Sequence, residues 1–333
     1  MANRTQDLFN VITRQQVYVE GLKEGQQRLA LLAFADMEKE LRTAILGLDV
    51  EDVSELTQAQ IRALLRTLKA ILTKFYSATL SRYIQFLSDW LVYEAKETPA
   101  LLSDDDNAIV PLPGASDLWK QISKEPMGAT GDTIASLLGA LSAVAYADIS
   151  RRVKGGIADN LSLRDFLAYI VGTKALNGRN GVLNKQRNAL GSAIATTMQQ
   201  VVTQVRDKAY GLLTDYYMWN SVIDGATTDI CRGRNGRTYR RGSGPLPPAH
   251  YGCRSSTIPV FVGERLVLPP SYFAWVSAQP VPFARDILPR RLHGALAKGE
   301  LRAADLPRFS EPAPLTLEQY KSKTKQIKTG TDN

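Results

Sequence analysis

The sequence has 333 residues, of which 44% are hydrophobic, so it can fill one large core or two modest ones. Its 41 basic and 33 acidic residues give a net charge of +8, which suits a polyanionic partner or an acidic protein surface. No apolar run reaches the ~18 residues that cross a bilayer, and the N-terminal stretch MANRTQDLFNVITRQQ lacks the apolar core of a secretory signal, so we expect synthesis in a cytoplasm.

Two long helices are predicted in the first part of the chain. Apolar residues recur at spacings of three, four or seven over residues 5–47, and a Thr57–Gln60 capping box starts a second helix that continues to about Lys96. We expect the two helices to form an antiparallel hairpin, either as a projecting arm or closed onto the following helices. The apolar face of the first helix is predicted to contain Leu8, Val11, Ile12, Val19, Leu22, Leu29, Leu32, Leu41 and Ile45.

The middle of the chain begins with an irregular segment and then becomes helical again. Prolines, a glycine and three consecutive aspartates predict a linker over residues 98–128. Further helices are predicted from Asp132 to Val153, from Ser162 to Gly172 and over 184–216. The loop GTKALNGRNG is interpreted as a turn, because it lacks the Gly-Lys-Ser/Thr ending of a phosphate-binding loop.

Glycine and proline become frequent after Met218, which predicts a change of structure. Short strands are expected at 218–223, 237–240 and 255–261, followed by helical segments, and composition predicts disorder only in the C-terminal tail. The predicted fold class is therefore mainly α, with a small α+β module of short antiparallel strands near 217–262. The predicted segments are an N-terminal helical arm or hairpin (1–97), the linker (98–128), a core (129–262) and a C-terminal helical extension with a basic tail (263–333).

The two cysteines of the chain, Cys231 and Cys253, lie on either side of His250 in the spacing Cys-x18-His-x2-Cys. Two cysteines make no disulfide framework, but His-x2-Cys is a spacing found in zinc knuckles. Zinc is therefore one interpretation, with Asp224, Asp229 or water as the fourth ligand. The alternatives are a buried, reduced cysteine pair or a disulfide that forms later.

Other side chains of the same stretch have structural or electrostatic interpretations. Asp224 and Thr227 are expected to hydrogen-bond the backbone of a turn, and Arg254 to pair with an acid such as Asp224. Pro247 and Pro248 are expected to hold the approach to His250 in a polyproline II conformation. Five arginines without an acidic neighbour either face DNA phosphates or are solvated surface: Arg232, Arg234, Arg237, Arg240 and Arg241.

This stretch, WNSVIDGATTDICRGRNGRTYRRGSGPLPPAHYGCRSSTIPV, resembles the signature of the Mu F-like head morphogenesis family of tailed phages, and the resemblance covers about residues 130–320. The family often ends the motif with Cys-Arg-Cys, whereas this chain has Ser255 at the last position. The positions that match the motif are Asp224, Thr227, Cys231, Gly236, Pro247, Pro248, His250, Cys253 and Arg254.

The resemblance implies a structural minor head protein rather than an enzyme. Its expected partners are the portal protein, the major capsid protein and packaged double-stranded DNA, bound without sequence specificity. It is expected in the virion, in the head interior near the portal vertex, after synthesis in the host bacterial cytoplasm and with no membrane contact in the assembled head. It would assist head assembly and DNA packaging or delivery.

Other functional classes require residues that can be looked for in the sequence. A metal-dependent nuclease or a DNA-binding metal-finger protein is the alternative, but a nuclease needs further ligands, and the second histidine, His293, lies in a separate helical segment. A toxin-type ADP-ribosyltransferase is excluded, because the Glu38-Lys39-Glu40 motif lies within the first helix. No catalytic residues are predicted.

Overall fold

A computed structural model of the chain describes residues 3–103, 112–176, 178–221, 223–306 and 313–329. About 67% of the chain is helical, and one small antiparallel sheet accompanies the helices, which confirms the predicted fold class. None of the described helices is both long enough and apolar enough to cross a membrane. The helices are α1 (Arg4–Leu46), α2 (Gln58–Leu102), α3 (Ala115–Ile122), α4 (Ile134–Ala158), α5 (Leu163–Val171), α6 (Val182–Tyr210), α7 (Asp229–Arg234), α8 (Tyr272–Ser277), α9 (Val281–Ile287), α10 (His293–Lys298) and α11 (Leu317–Thr329).

The sheet has three strands, β1 (Tyr216–Asn220), β2 (Thr238–Arg240) and β3 (Ser256–Val260). β1 is the central strand and pairs antiparallel with both neighbours, so that Met218 lies opposite Thr238 on one side and Ile258 on the other. All three strands were predicted within a few residues. The long connection from β2 to β3 carries His250 and Cys253.

The first two helices follow the sequence prediction closely at their starts. At the start of α2, Thr57 and Gln60 form the expected capping box: the Thr57 amide donates to the Gln60 side chain at 2.9 Å, and the Gln60 amide donates to the Thr57 hydroxyl at 3.3 Å. α2 continues to Leu102 with Pro99 inside it, and α3 lies beyond, so the irregular segment is shorter than predicted. The three aspartates at 104–106 lie outside the described residues.

The chain divides into two compact units, each assembled from separate parts of the sequence. One contains Met1–Gln26, Leu87–Ile134 and Ala195–Asn333, and includes the sheet. The other contains Gln27–Phe86 and Ala135–Ile194, and has an aromatic core in which Phe75 makes edge contacts with Phe34 and Tyr76. Predicted boundaries at 97, 128 and 262 stay predictions.

The first 26 residues are part of the core of the sheet-containing unit. Phe9, Ile12, Val19 and Leu22 are buried there. Such burial favours the alternative in which the N-terminal helices close onto the rest of the chain over the alternative of a projecting arm. The predicted apolar face of α1 is wrong at Leu29 and Leu32, which are each 61% exposed.

The prediction of a disordered C-terminal tail is wrong for the described part of that tail. Residues Leu317–Thr329 form α11, in which Tyr320, Thr324 and Ile327 are buried. These three residues are four and three positions apart and therefore share one helix face. Composition did not reveal this face, because lysines occupy many of the positions between them.

Candidate metal centre

Cys231, His250 and Cys253 are brought together by α7 and by the turn that precedes β3. α7 begins after Thr228 and places Cys231 on its buried side. In the turn, the Cys253 amide donates to the His250 carbonyl at 3.1 Å, and Gly252 has a positive φ of 66°. The turn therefore places His250 and Cys253 on the same side, facing Cys231.

The three potential ligand atoms lie within 4.8 Å of one another. The Cys231 sulfur is 3.2 Å from the His250 Nε2 atom and 3.8 Å from the Cys253 sulfur. Both cysteines are free, and their separation is far longer than the ~2.05 Å of a disulfide bond. Two thiolates on one tetrahedral zinc, with Zn–S bonds of about 2.3 Å, would be roughly 3.8 Å apart. The group has the composition and spacing to hold a metal ion.

The cluster is enclosed mainly by residues of its own module. Cys231 and Cys253 are buried against Trp219, with Tyr239 and Ala249 packed on the outside. The Trp219 indole donates to the Ser221 hydroxyl at 2.7 Å, and this hydroxyl donates to the Cys231 carbonyl at 3.1 Å. Polar contacts thus fix the backbone of α7 to the end of β1.

The pKa values of the two cysteine thiols shift in opposite directions in the metal-free cluster. The hydrogen bond from Cys253 lowers the pKa of Cys231 to about 6, because it stabilises the thiolate. The same hydrogen bond, together with burial, raises the pKa of Cys253 to about 12. Hydrogen bonding to Cys253 also raises the pKa of His250. The pair therefore holds one proton at neutral pH, and a metal ion would have to displace it.

Asp224 and Arg254 form a bidentate ion pair beside the cluster. Both carboxylate oxygens accept hydrogen bonds from the guanidinium at 2.7 Å, and the two side chains are only 8% and 13% exposed. The Thr227 hydroxyl accepts from the Asp224 amide at 3.0 Å. The predicted turn and the predicted partner of Arg254 are both confirmed.

The glycine and the two prolines of the motif shape the connections around the cluster. Gly236, at φ 78°, connects α7 to β2, and its amide donates to the Trp219 carbonyl at 2.9 Å. The Pro247–Pro248 peptide bond is cis, so the polyproline II interpretation is wrong, because that helix is built from trans bonds. Both prolines are buried.

The five arginines do not form one uniform surface. Arg241 makes a bidentate ion pair with Asp207, with bonds of 3.1 and 3.0 Å, and Arg234 lies over the Trp219 ring at 5.0 Å from its centre. The remaining three are exposed: Arg232, Arg237 and Arg240. Among the described residues, these three have no acidic or aromatic partner, although Arg232 approaches two backbone carbonyls.

A small cavity of about 20 Å³ reaches Cys231 and His250. This volume holds about one water molecule. Besides the two potential ligands and Ala226, its walls contain Ser221, Thr227, Thr228, Arg254 and Ser255.

Two residues that hydrogen-bond the backbone at Cys253 and Ser255 were not predicted from the sequence. The Lys23 ammonium on α1 donates to the Cys253 carbonyl at 3.3 Å, and the Gln199 amide on α6 donates to the Ser255 carbonyl at 3.0 Å. Lys23 is buried with Glu20, to which it donates at 2.7 Å. The one sequence signal for these residues was that Glu20 and Lys23 lie three residues apart on the apolar side of α1.

Comparison of the chain with known protein families, with curated proteins and with solved structures finds no match. The resemblance to the Mu F-like family therefore stays a prediction that depends on the motif itself.

Proposed function

We propose that this chain is a structural, non-enzymatic minor head protein of a tailed phage, and that its module at 216–260 is held together by zinc. The main support for the proposal is that the residues of the motif contact one another. Asp224 and Arg254 pair, Cys231, His250 and Cys253 converge, and the small cavity beside them leaves no room for a nucleotide. A motif whose residues contact one another in this way supports the interpretation as a folded attachment module.

Zinc is the metal that this donor set favours. Two thiolates and an imidazole are soft or borderline ligands, which zinc accepts in tetrahedral geometry, whereas magnesium and calcium prefer oxygen. The separation of 3.8 Å between the sulfurs already suits such a site. Zinc would replace the proton that the cysteine pair holds and would join α7 to the turn before β3.

The proposed role places the protein in the head interior near the portal vertex, in contact with the portal or the major capsid protein. Contact with packaged DNA is assigned to Arg232, Arg237 and Arg240, since Arg241 and Arg234 have partners within the protein. Contacts of exposed arginines with phosphates are independent of sequence and weaken as salt increases.

The zinc part is tested by metal analysis and by chelation. Protein purified without chelator should contain one zinc per chain, and its removal should lower the melting temperature, with a stability loss of about 3–4 kcal/mol at free zinc 100 to 1,000 times the dissociation constant. The Cys231→Ser/His250→Ala variant should contain no zinc and should be unaffected by chelator. Equal melting curves for the wild-type protein with and without chelator would contradict a structural zinc.

The head-protein part is tested in the phage that encodes the chain. A tagged copy should be recovered from purified, DNA-filled heads, and the Asp224→Ala/Arg254→Ala variant, in which the module loses its ion pair, should be recovered less. The Arg232→Glu/Arg237→Glu/Arg240→Glu variant should be incorporated normally but should lose salt-dependent DNA binding. Absence of the tagged protein from DNA-filled heads would sink the proposal.

The alternative of a metal-dependent nuclease is favoured by one observation: the cluster supplies three ligands, and hydrolytic zinc sites keep a fourth position for water. The cavity of about 20 Å³ and the engagement of Asp224 by Arg254 count against it, because the cavity holds about one water molecule and Asp224 is already paired and so poorly placed to act as a general base. Incubation of the zinc protein with single- and double-stranded DNA should give no cleavage. Cleavage that disappears in the Cys231→Ser variant would favour the nuclease.

A further inference from the structure

We infer that the metal centre formed by Cys231, His250 and Cys253 keeps its fourth coordination position open, and that this position takes one water molecule or another small monodentate ligand from solvent. The inference rests on the proposed zinc and adds to it the nature of the fourth ligand. It decides between the three candidates that the sequence left open, which were Asp224, Asp229 and water.

Neither aspartate is placed to complete the site. Among the described residues, the group of potential ligand side chains around Cys231 contains only cysteine and histidine. Asp224 uses both oxygens for Arg254, so binding a metal would break a buried bidentate pair. Asp229 is exposed at the start of α7 and is not part of the group.

The cavity provides the space for the open position. It borders the Cys231 and His250 side chains, and its volume of about 20 Å³ accommodates one water molecule. Thr228 and Ser255 also line the cavity, and their side chains carry hydroxyl groups that are able to hydrogen-bond such a water. Two thiolates cancel the charge of Zn²⁺, so a neutral fourth ligand leaves the centre neutral within a mostly buried site.

Because residue 255 is a serine and not a cysteine, the protein supplies no third thiolate at the fourth coordination position. Ser255 lies two residues after Cys253 and immediately before β3, it is buried, and its hydroxyl is 2.7 Å from the Ser221 hydroxyl in the wall of the cavity. A thiol at this position would reach into the same cavity. The Ser255→Cys substitution should therefore close the site as a Cys₃His centre, and Ser255→Ala should leave it open.

Cobalt(II) in place of zinc gives a direct measurement, because its absorption reports both the number of thiolate ligands and the geometry. The wild-type protein should bind one cobalt with sulfur-to-metal charge transfer from two thiolates, and azide should shift its visible d–d bands. The Ser255→Cys variant should gain about 1.5-fold in charge-transfer intensity, since it adds a third thiolate to two. Its d–d bands should no longer respond to azide. Ser255→Ala should behave like the wild-type protein.

The outcomes separate the two proposals. Absence of thiolate charge transfer in the wild-type protein would overturn the metal site, and the open position with it. One tightly bound cobalt whose bands are unaffected by azide, together with unchanged charge transfer in Ser255→Cys, would leave the metal site standing and overturn the open position.

Discussion

At the scale of single residues, the cluster of Cys231, His250 and Cys253 could be located from the sequence, but its surroundings could not. The spacing of Cys231, His250 and Cys253 was visible, and so was a partner for Arg254. Lys23 and Gln199 were not, since they come from α1 and α6 and meet the turn only after the chain has folded. Contacts between residues so far apart in sequence depend on packing, which no local pattern encodes.

The cysteine pair predicts a pH dependence for the metal-free protein. The pKa of Cys231 falls from the ordinary value of 9.0 to about 6, so its thiolate stabilises the fold fully above pH 9 and loses this effect as pH falls through 6. The raised pKa of Cys253 has the opposite effect, because unfolding above pH 9 releases a proton that the folded protein retains. Thiolate absorbance should therefore indicate one thiolate per chain at pH 7.5. A count of two thiolates, or of none, at that pH would contradict the assignment of the low pKa to Cys231 and the high pKa to Cys253. The Cys231→Ser variant is the control.

The Asp224–Arg254 pair predicts strong coupling between two substitutions. Removing either partner leaves a buried charge without its counterion, so Asp224→Ala and Arg254→Ala should each cost about 3–5 kcal/mol of unfolding free energy. The double variant should cost much less than the sum, because no unpaired charge remains. Denaturant unfolding of all four proteins measures this coupling. The exposed pair of Lys39 and Asp36, treated in the same way, should be nearly additive.

At the scale of elements, helix and strand positions were predictable, and the buried faces were predictable only in part. The regular spacing of apolar residues located α1 within one residue at each end. The prediction extended one apolar face through Leu29 and Leu32, but the buried positions further along are Ala30, Phe34 and Met37. Leu22, Ala30, Phe34 and Met37 follow one another at eight, four and three residues and continue one helical face, whereas Leu29 and Leu32 lie off that face. The prediction included these two leucines because they are hydrophobic, although their positions do not fit the stripe.

Helix α11 predicts that the C-terminal segment contributes to stability. The Tyr320 ring is buried and packs edge-on against Trp90, and its hydroxyl donates to the buried Glu94 carboxylate. Tyr320→Phe should cost about 1–3 kcal/mol, because it removes one donor from that carboxylate. Tyr320→Ala should cost about 3–5 kcal/mol, because it also leaves a cavity. Ser322→Ala, on the exposed side of α11, is the matched control and should change stability by less than about 0.5 kcal/mol. Equal thermal unfolding of all three variants would mean that α11 is not docked in solution.

At the scale of the whole molecule, the division of the chain is the feature that the sequence concealed. The predicted segments followed one another along the chain, whereas both compact units combine segments that are distant in sequence. The sheet-containing unit includes the first 26 residues, which supply buried apolar side chains and the Glu20–Lys23 pair next to the Cys253 carbonyl. Composition shifts and proline-rich stretches mark boundaries along a chain, but they carry no information about which segments meet.

The final prediction separates an N-terminal arm from an N-terminal core. Leu22 is fully buried on α1, so Leu22→Ala should cost about 2–5 kcal/mol, whereas Leu32→Ala on the exposed side of the same helix should cost less than about 0.5 kcal/mol. Deleting residues 1–26 removes the buried face that α1 contributes to that unit, together with Lys23, which hydrogen-bonds the Cys253 carbonyl. The truncated protein should bind no zinc under conditions in which the full-length protein binds it, and it should lose its cooperative thermal transition, as measured by metal analysis and circular dichroism. If it keeps one zinc per chain and unfolds at the wild-type temperature, the N-terminal segment is an arm and not part of the core. In that case its apolar face would be available for the portal or the capsid shell.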